Sequence, residues 1–135
     1  MKADAQTEVE VMAALHEIFA AYAARDIDRL QAAFSPDSDM VNFGAGGDNE
    51  RRVGLAGLWR ECEGEWSATE EASCELGWHS VSAAGSVAWL VADANLRLKR
   101  VGEEPESGAA RLSMVFERRN GRWLCMHKHF SVPQD

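Results

Sequence analysis

The sequence predicts an α+β fold: a cone-shaped domain of three N-terminal helices packed on a strongly curved antiparallel meander sheet. Two observations carry that expectation. Apolar residues recur at three- and four-residue spacing through the first half of the chain and at two-residue spacing from Glu71 onward. The second half also ends in a pair of alternating, β-prone runs around Asn120-Gly121, the strongest short-range hairpin signal in a sequence. Helices followed by a run of strands read as segregated layers.

One domain spanning 1–135 is the expectation for 135 residues, long enough to bury about two thirds of the unfolded surface. The composition, 46% hydrophobic and 27% charged, is that of an ordinary soluble protein. A net charge of -8 argues against nucleic acid or an anionic membrane as partner, since both favour a basic patch. No apolar run approaches the roughly 20 residues of a membrane span. The first residues, Met-Lys-Ala-Asp-Ala-Gln-Thr-Glu, lack the apolar centre of a signal peptide, so a cytoplasmic location is expected. Cys62, Cys74 and Cys125 are odd in number and without paired spacing, which suggests neither a disulfide framework nor a zinc knuckle.

Thr7 followed by Glu10 fits a capping box that opens the first helix, roughly 7 to 24. Met12, Leu15, Phe19 and Tyr22 form its apolar stripe, and six alanines between residues 13 and 24 supply propensity. His16 lies on the flank of that stripe and is assigned no role. Asp26 caps a short second helix with Ile27, Leu30 and Phe34 on its buried edge, and Ser35-Pro36-Asp37 ends it. Met40-Val41-Asn42-Phe43 reads as a brief strand. Gly44 to Asn49 has no Gly-Lys-Ser/Thr behind it, so it is a turn and not a phosphate loop. Leu55, Leu58, Trp59, Cys62 and Trp66 mark a third helix, weakened by Gly57 and Gly64, glycines of a kind that permits close packing.

Two strands follow, Ala72 to Val81 and Ser86 to Arg100, joined by Ser82-Ala83-Ala84-Gly85. An acidic exposed loop from Gly102 to Gly108 leads into the hairpin Ala109 to Pro133. A two-residue turn there pairs Arg119 with Arg122 and sets His127 opposite Met114. A three-residue turn shifts the pairing by one, so that Arg111 and Ser113 lie beside His129 and His127. Leu112, Met114 and Phe116 then meet Lys128, Met126 and Leu124. The second register separates polar from apolar faces and is preferred, because a one-residue slip inverts every side chain.

In this order the elements resemble the nuclear transport factor two-like superfamily, which includes SnoaL-like polyketide cyclases, ketosteroid isomerases and the association domain of calcium/calmodulin-dependent kinases. Phe116-Glu117-Arg118-Arg119-Asn120-Gly121-Arg122-Trp123 and His127-Lys128-His129-Phe130-Ser131-Val132-Pro133 are similar to the end of that association domain. Ala24-Arg25-Asp26-Ile27-Asp28 and Phe34-Ser35-Pro36-Asp37 look like the start of many ketosteroid-isomerase-like chains. The resemblance implies a cystatin-like fold with a pocket on the concave side of the sheet. It also places the association domain's pocket arginines at Val91, Met114 and Phe130. The isomerases' catalytic aspartate falls at Asn42, their oxyanion tyrosine at Ile18 and their second oxyanion group near Leu112. None of these positions keeps a residue able to do the family's chemistry: an amide is no general base and a leucine stabilises no enolate.

The pocket expected from this resemblance is lined by Asn42, Trp59, Trp89, Val91, Asp93, Met114, Phe116, Met126 and Phe130. Such walls suit a neutral, apolar or aromatic small molecule, although the same side chains could equally fill a core. Asp93 is the only acid placed inside, where desolvation would raise its pKa; pairing with Arg97 is the competing role. His127 and His129 share one face of a strand, but no third ligand is evident and a zinc site generally needs three, so no metal and no cofactor are expected. They are expected on the convex side with Arg111, Ser113, Trp123 and the alanines 88, 92 and 94, as part of a homodimer interface. If the faces are reversed, His127 and His129 become the acid–base candidates.

Two functions from different classes follow. One is a dimeric small-molecule-binding domain with an apolar concave pocket. The other is a cofactor-free isomerase, cyclase or dehydratase acting on an apolar substrate by acid–base catalysis. The lost catalytic positions favour the first.

Overall fold

The computed structural model describes residues 1–46 and 51–133. The expected turn over Gly44 to Asn49 therefore lies, from Gly47 on, outside the described residues.

Helix α1 runs over Ala5–Ala23. Its cap is Asp4, whose Oδ1 accepts from the Thr7 N–H at 2.8 Å, and not Thr7 itself. An aspartate at the position before the helix is as good a cap as threonine, and it captures two further residues for the first turn. Glu10, freed from any capping box, accepts from Gln6 Nε2 at 2.7 Å and from Trp123 Nε1 at 2.9 Å. Val11, Leu15, Ile18 and Ala21 are the buried stripe. Helix α2, Ile27–Ala32, is capped by Asp26 as the sequence indicated, with Leu30 and Phe34 buried behind it.

Between these helices Arg25 adopts a left-handed backbone, φ 56°. Its guanidinium donates to the carbonyls of Trp66 at 2.5 Å and Thr69 at 2.9 Å, and to Thr69 Oγ1 at 3.0 Å. Those carbonyls belong to the end of α3, Gly54–Ala68, and the start of the next strand, so one side chain fastens three elements. On α3 the buried residues are Gly57, Leu58, Glu61 and Cys62. A Cβ at Gly57 would come within 2.9 Å of the Arg52 carbonyl carbon, which is why glycine stands there; Gly64 has open space.

The sheet has six strands: β1 Val41–Phe43, β2 Arg51–Val53, β3 Thr69–Ala84, β4 Val87–Arg100, β5 Glu106–Arg119 and β6 Arg122–Ser131. They lie in the order β2-β1-β6-β5-β4-β3. The sheet is mixed and not purely antiparallel, because β1 runs parallel to β6 while every other pair is antiparallel. The short strand β2 carries no period of its own and was not anticipated.

The terminal hairpin corrects the preferred register. Arg119 pairs with Arg122 across a two-residue turn, with Asn120 at φ 51° and Gly121 at φ 76°. Both central residues are left-handed, the geometry that Asn-Gly accommodates best. A bulge then leaves Met126 without a partner, and beyond it Met114 faces Lys128, Ser113 faces His129 and Leu112 faces Phe130. The extra residue shifts the far half of the strand by one, which no alternation pattern announces.

The inner face is now fixed. Ala88, Leu90, Ala92 and Ala94 on β4, Leu112, Met114 and Phe116 on β5, and Trp123 and Cys125 on β6 are buried. The expectation that Ala88, Ala92, Ala94 and Trp123 lie on the convex side is therefore overturned. Ala88 and Ala92 belong to the same buried cluster as Val11 and Leu15 of α1, and their small size lets the helical layer settle closely on the sheet.

Candidate functional site

Between the helices and the concave face lies a cavity of about 500 Å³. Ile18, Phe19 and Tyr22 of α1, Leu58, Glu61 and Glu65 of α3, Ala72 and Cys74 of β3, Leu96 and Leu98 of β4, and Lys128 and Phe130 of β6 are among its walls. The volume is that of ordinary small-molecule sites, and so is the chemistry: mostly apolar surface with a few polar atoms.

Arg97, Arg100 and Glu106 also line the cavity, Arg100 donating to Glu106 Oε1 at 2.5 Å, and four further polar side chains form two pairs. Glu61 projects from the buried stripe of α3, and Lys128 reaches it from β6 because the bulge at Met126 turns Lys128 inward. Lys128 Nζ donates to Glu61 Oε1 at 2.8 Å, and both side chains keep a tenth or less of their exposure, 10% and 6%. Glu61 Oε2 is out of reach of solvent and has no hydrogen-bond partner. Burial alone would lower the pKa of Lys128, but the attraction of Glu61, and after it Glu65, outweighs that cost and holds the ammonium above its ordinary 10.5. The Lys128 cation also stands 5.3 Å from the centre of the Phe130 ring, a favourable cation–π distance.

The second pair joins Tyr22 and Glu65, one helical turn along from Glu61; the phenol donates to Glu65 Oε1 at 2.5 Å. Burial first, and then the charge of Glu65, push the tyrosine far above its ordinary range, so it acts as a donor and not as a phenolate. The thiols nearby are inert for the same reason. Burial pushes Cys62 up to about 12 and Cys74 up to about 11.

The residues proposed from sequence are distributed differently. Phe130 lines the cavity. Asn42, Met114 and Phe116 share its side of the sheet but are packed in the core with no exposure. Asn42 pairs in register with Lys128, and neither atom of its buried amide has a partner. Trp59 sits on α3 at 38% exposure, edge-on to Trp66. Trp89, Val91 and Asp93 are the odd positions of β4 and point away from the cavity, next to Val115, Ser113 and Arg111. Asp93 is exposed there and is not an inner acid. Met126, in the bulge, is half-buried with its sulfur 3.8 Å from Arg119 Nη2.

His127 and His129 are on the same outer face, their rings 6.5 Å apart, with Phe43 at 6.0 and 5.4 Å. His127 Nδ1 is 2.5 Å from the Val41 carbonyl oxygen, so it is the donor in that contact. Among the described residues no three metal-ligating side chains cluster.

The sequence reading missed Glu61, Lys128, Tyr22 and Glu65 as a group. Glu61 and Glu65 are four apart on a helix and so share a face, a signal that was legible. Lys128 was set on the apolar face beside Leu112 in the preferred register, but without Glu61 as its partner.

Comparison with known proteins agrees with this geometry. Residues 11–135 match the family model described as a SnoaL-like domain. A protein of unknown function from Pseudomonas putida, of the nuclear transport factor two-like type, is 26% identical with a TM-score of 0.78 over 98% of this chain and 90% of its own. A structure from Xanthomonas campestris, described as a calcium/calmodulin-dependent protein kinase II association domain, is 21% identical with a TM-score of 0.81, over 99% and 95%. A hexachlorocyclohexane dehydrochlorinase is 14% identical with a TM-score of 0.80, over 96% and 86%. No curated protein sequence matches the chain. A cavity enclosed by helices and a curved sheet, and a family match over nearly the whole length, lead to one conclusion: the chain belongs to the SnoaL-like domain family of the nuclear transport factor two-like superfamily.

Proposed function

We propose that this chain is a small-molecule-binding SnoaL-like domain whose concave cavity takes a neutral, apolar or aromatic compound. The observation that carries this reading is the cavity itself, about 500 Å³ of mainly apolar wall beneath the helices. Neutral ligands are favoured over anions because the lysine in the wall is neutralised by Glu61, with Glu65 close behind, and Arg100, which also lines it, is paired with Glu106. An entering carboxylate would meet three acids, Glu61, Glu65 and Glu106, with Lys128 and Arg100 already engaged by two of them; Arg97, exposed on β4, is the other arginine in the wall. Calorimetric titration with neutral aromatics against benzoate tests the reading, and equal affinity for both classes would contradict it.

The domain acts as a homodimer through the outer face of the sheet. Support comes from the residues now on that face: Val91 and Phe43 are each 39% exposed, and Trp89, Val115, His127 and His129 lie around them. Apolar side chains grouped on a flat strand surface fit a self-complementary contact.

A second reading has its own observation. A carboxylate and an ammonium in contact, both buried in the cavity wall, are the parts of an acid–base site, with Glu61 to take a proton and Lys128 to stabilise the charge left on the substrate. Under it the chain is a cofactor-free isomerase, cyclase or dehydratase. Turnover of a cavity-sized carbonyl or hydroxyl compound, lost in Glu61→Gln, would favour this reading over simple binding.

A further inference from the structure

The buried ion pair in the cavity wall is chemically incomplete. Lys128 satisfies Glu61 Oε1 at 2.8 Å, while Glu61 Oε2 is excluded from solvent without any partner. A charged oxygen in that position loses hydration without regaining a hydrogen bond, a cost of more than a neutral group would carry. The terminal torsion of a glutamate is soft, so a rotation about it brings Oε2 to a group that enters the cavity, whose wall Glu61 forms part of. Carboxylate oxygens only accept, so that group must donate. The ammonium beside it carries three N–H bonds, of which the contact with Glu61 uses one. A hydroxyl satisfies both: its O–H donates to Glu61 Oε2 and its lone pair accepts from Lys128 Nζ. The Phe130 ring, 5.3 Å from that ammonium, supplies apolar surface for the body that carries the hydroxyl.

We infer that Glu61 and Lys128 form a docking point for a hydroxyl group, so that the ligand class is a phenol or a cyclic alcohol with an otherwise apolar body. This rests on the reading of the cavity as a small-molecule site, and it adds the group by which a ligand is oriented.

Three probes of nearly equal shape test it by calorimetry on the intact protein: 2-naphthol, which donates and accepts; 2-methoxynaphthalene, which only accepts; and naphthalene, which does neither. The expected result is that 2-naphthol binds at least about tenfold more tightly than either of the others, the usual worth of a hydrogen bond to a buried charge. In Glu61→Gln that preference should fall to about twofold or less. Should Glu61→Gln fail to fold by circular dichroism, the double variant Glu61→Gln/Lys128→Met removes both charges and should retain naphthalene but lose the preference. Equal binding of all three probes would overturn the docking point and leave the cavity reading intact. A preference that survives in either variant would also overturn it. Binding of none of them would overturn both.

Discussion

Lys128 Nζ lies 2.8 Å from Glu61 Oε1, joining a strand near the chain's end to a helix near its middle inside the domain. Such a pair is costly to bury, and breaking it is costlier than removing it. Lys128→Met should therefore destabilise the fold by about 3–5 kcal/mol, since it leaves Glu61 charged and alone. Glu61→Leu/Lys128→Met should recover most of that loss in urea unfolding. Because the folded pKa of Lys128 is raised above 10.5, its contribution is complete below that value and is lost as pH rises through the folded one. Stability that is flat up to pH 12 in the wild type would contradict this.

Two glycines of α3 should behave oppositely. Gly57→Ala places a Cβ 2.9 Å from the backbone of Arg52 and should lower the melting temperature. Gly64→Ala meets nothing and should raise stability by about 0.5–1 kcal/mol, the usual gain for replacing a mid-helix glycine. Thermal unfolding of the two single variants checks both signs.

Asn42 has no exposure and no partner for its amide. Asn42→Leu, which keeps the branching of the side chain, should stabilise the domain by about 1–3 kcal/mol by removing an unsatisfied polar group. A loss of stability in denaturant titration would show that the amide is satisfied, for example by an ordered water.

The acid limb of stability should be set by surface carboxylates held below their ordinary range. Arg119 hydrogen-bonds and attracts Asp37, Thr7 does the same for Asp4 through its backbone N–H, and Arg29 for Glu17. Each depressed pKa means that the unfolded chain binds more protons, so stability is present above the ordinary values of 3.8 and 4.5 and falls as pH drops through the lower, folded ones. Asp37→Asn should flatten that limb and leave stability near pH 5 to 7 lower than in the wild type. An unchanged acid limb in Asp37→Asn would remove Arg119 from the explanation.

The dimer is checked by sedimentation. Val91→Glu, at an exposed position in the centre of the outer face, should give monomers of about half the wild-type mass without loss of secondary structure. A wild type that sediments at 14.9 kDa at micromolar concentration would contradict the dimer.

Much of this architecture was legible in the sequence. Asp26, Pro36 and the period of Leu58 and Cys62 gave the helices, and Asn120-Gly121 gave the hairpin though not its register. The facing of the sheet was less so. On β4 the alanines looked like a surface because alanine carries little hydrophobic signal, yet they are buried to make room for α1. Trp89 and Val91 looked like core because they are large and apolar. On β6 the bulge at Met126 keeps Lys128 and Phe130 on the inner face, where the preferred register set them, and turns Trp123 and Cys125 inward in place of Leu124 and Met126. A local bulge has no periodic signature, so the half of β6 nearest the turn was the part that alternation misplaced.

The claim on which the account rests is that the cavity under the helices receives a neutral apolar compound. Calorimetry of 2-naphthol against wild type and Ala72→Trp, which fills the cavity from β3, tests it most directly. The account predicts one site per chain in the wild type, little heat from benzoate, and loss of 2-naphthol binding in a folded Ala72→Trp. Benzoate binding as tight as 2-naphthol, or unchanged 2-naphthol affinity in Ala72→Trp, would contradict it.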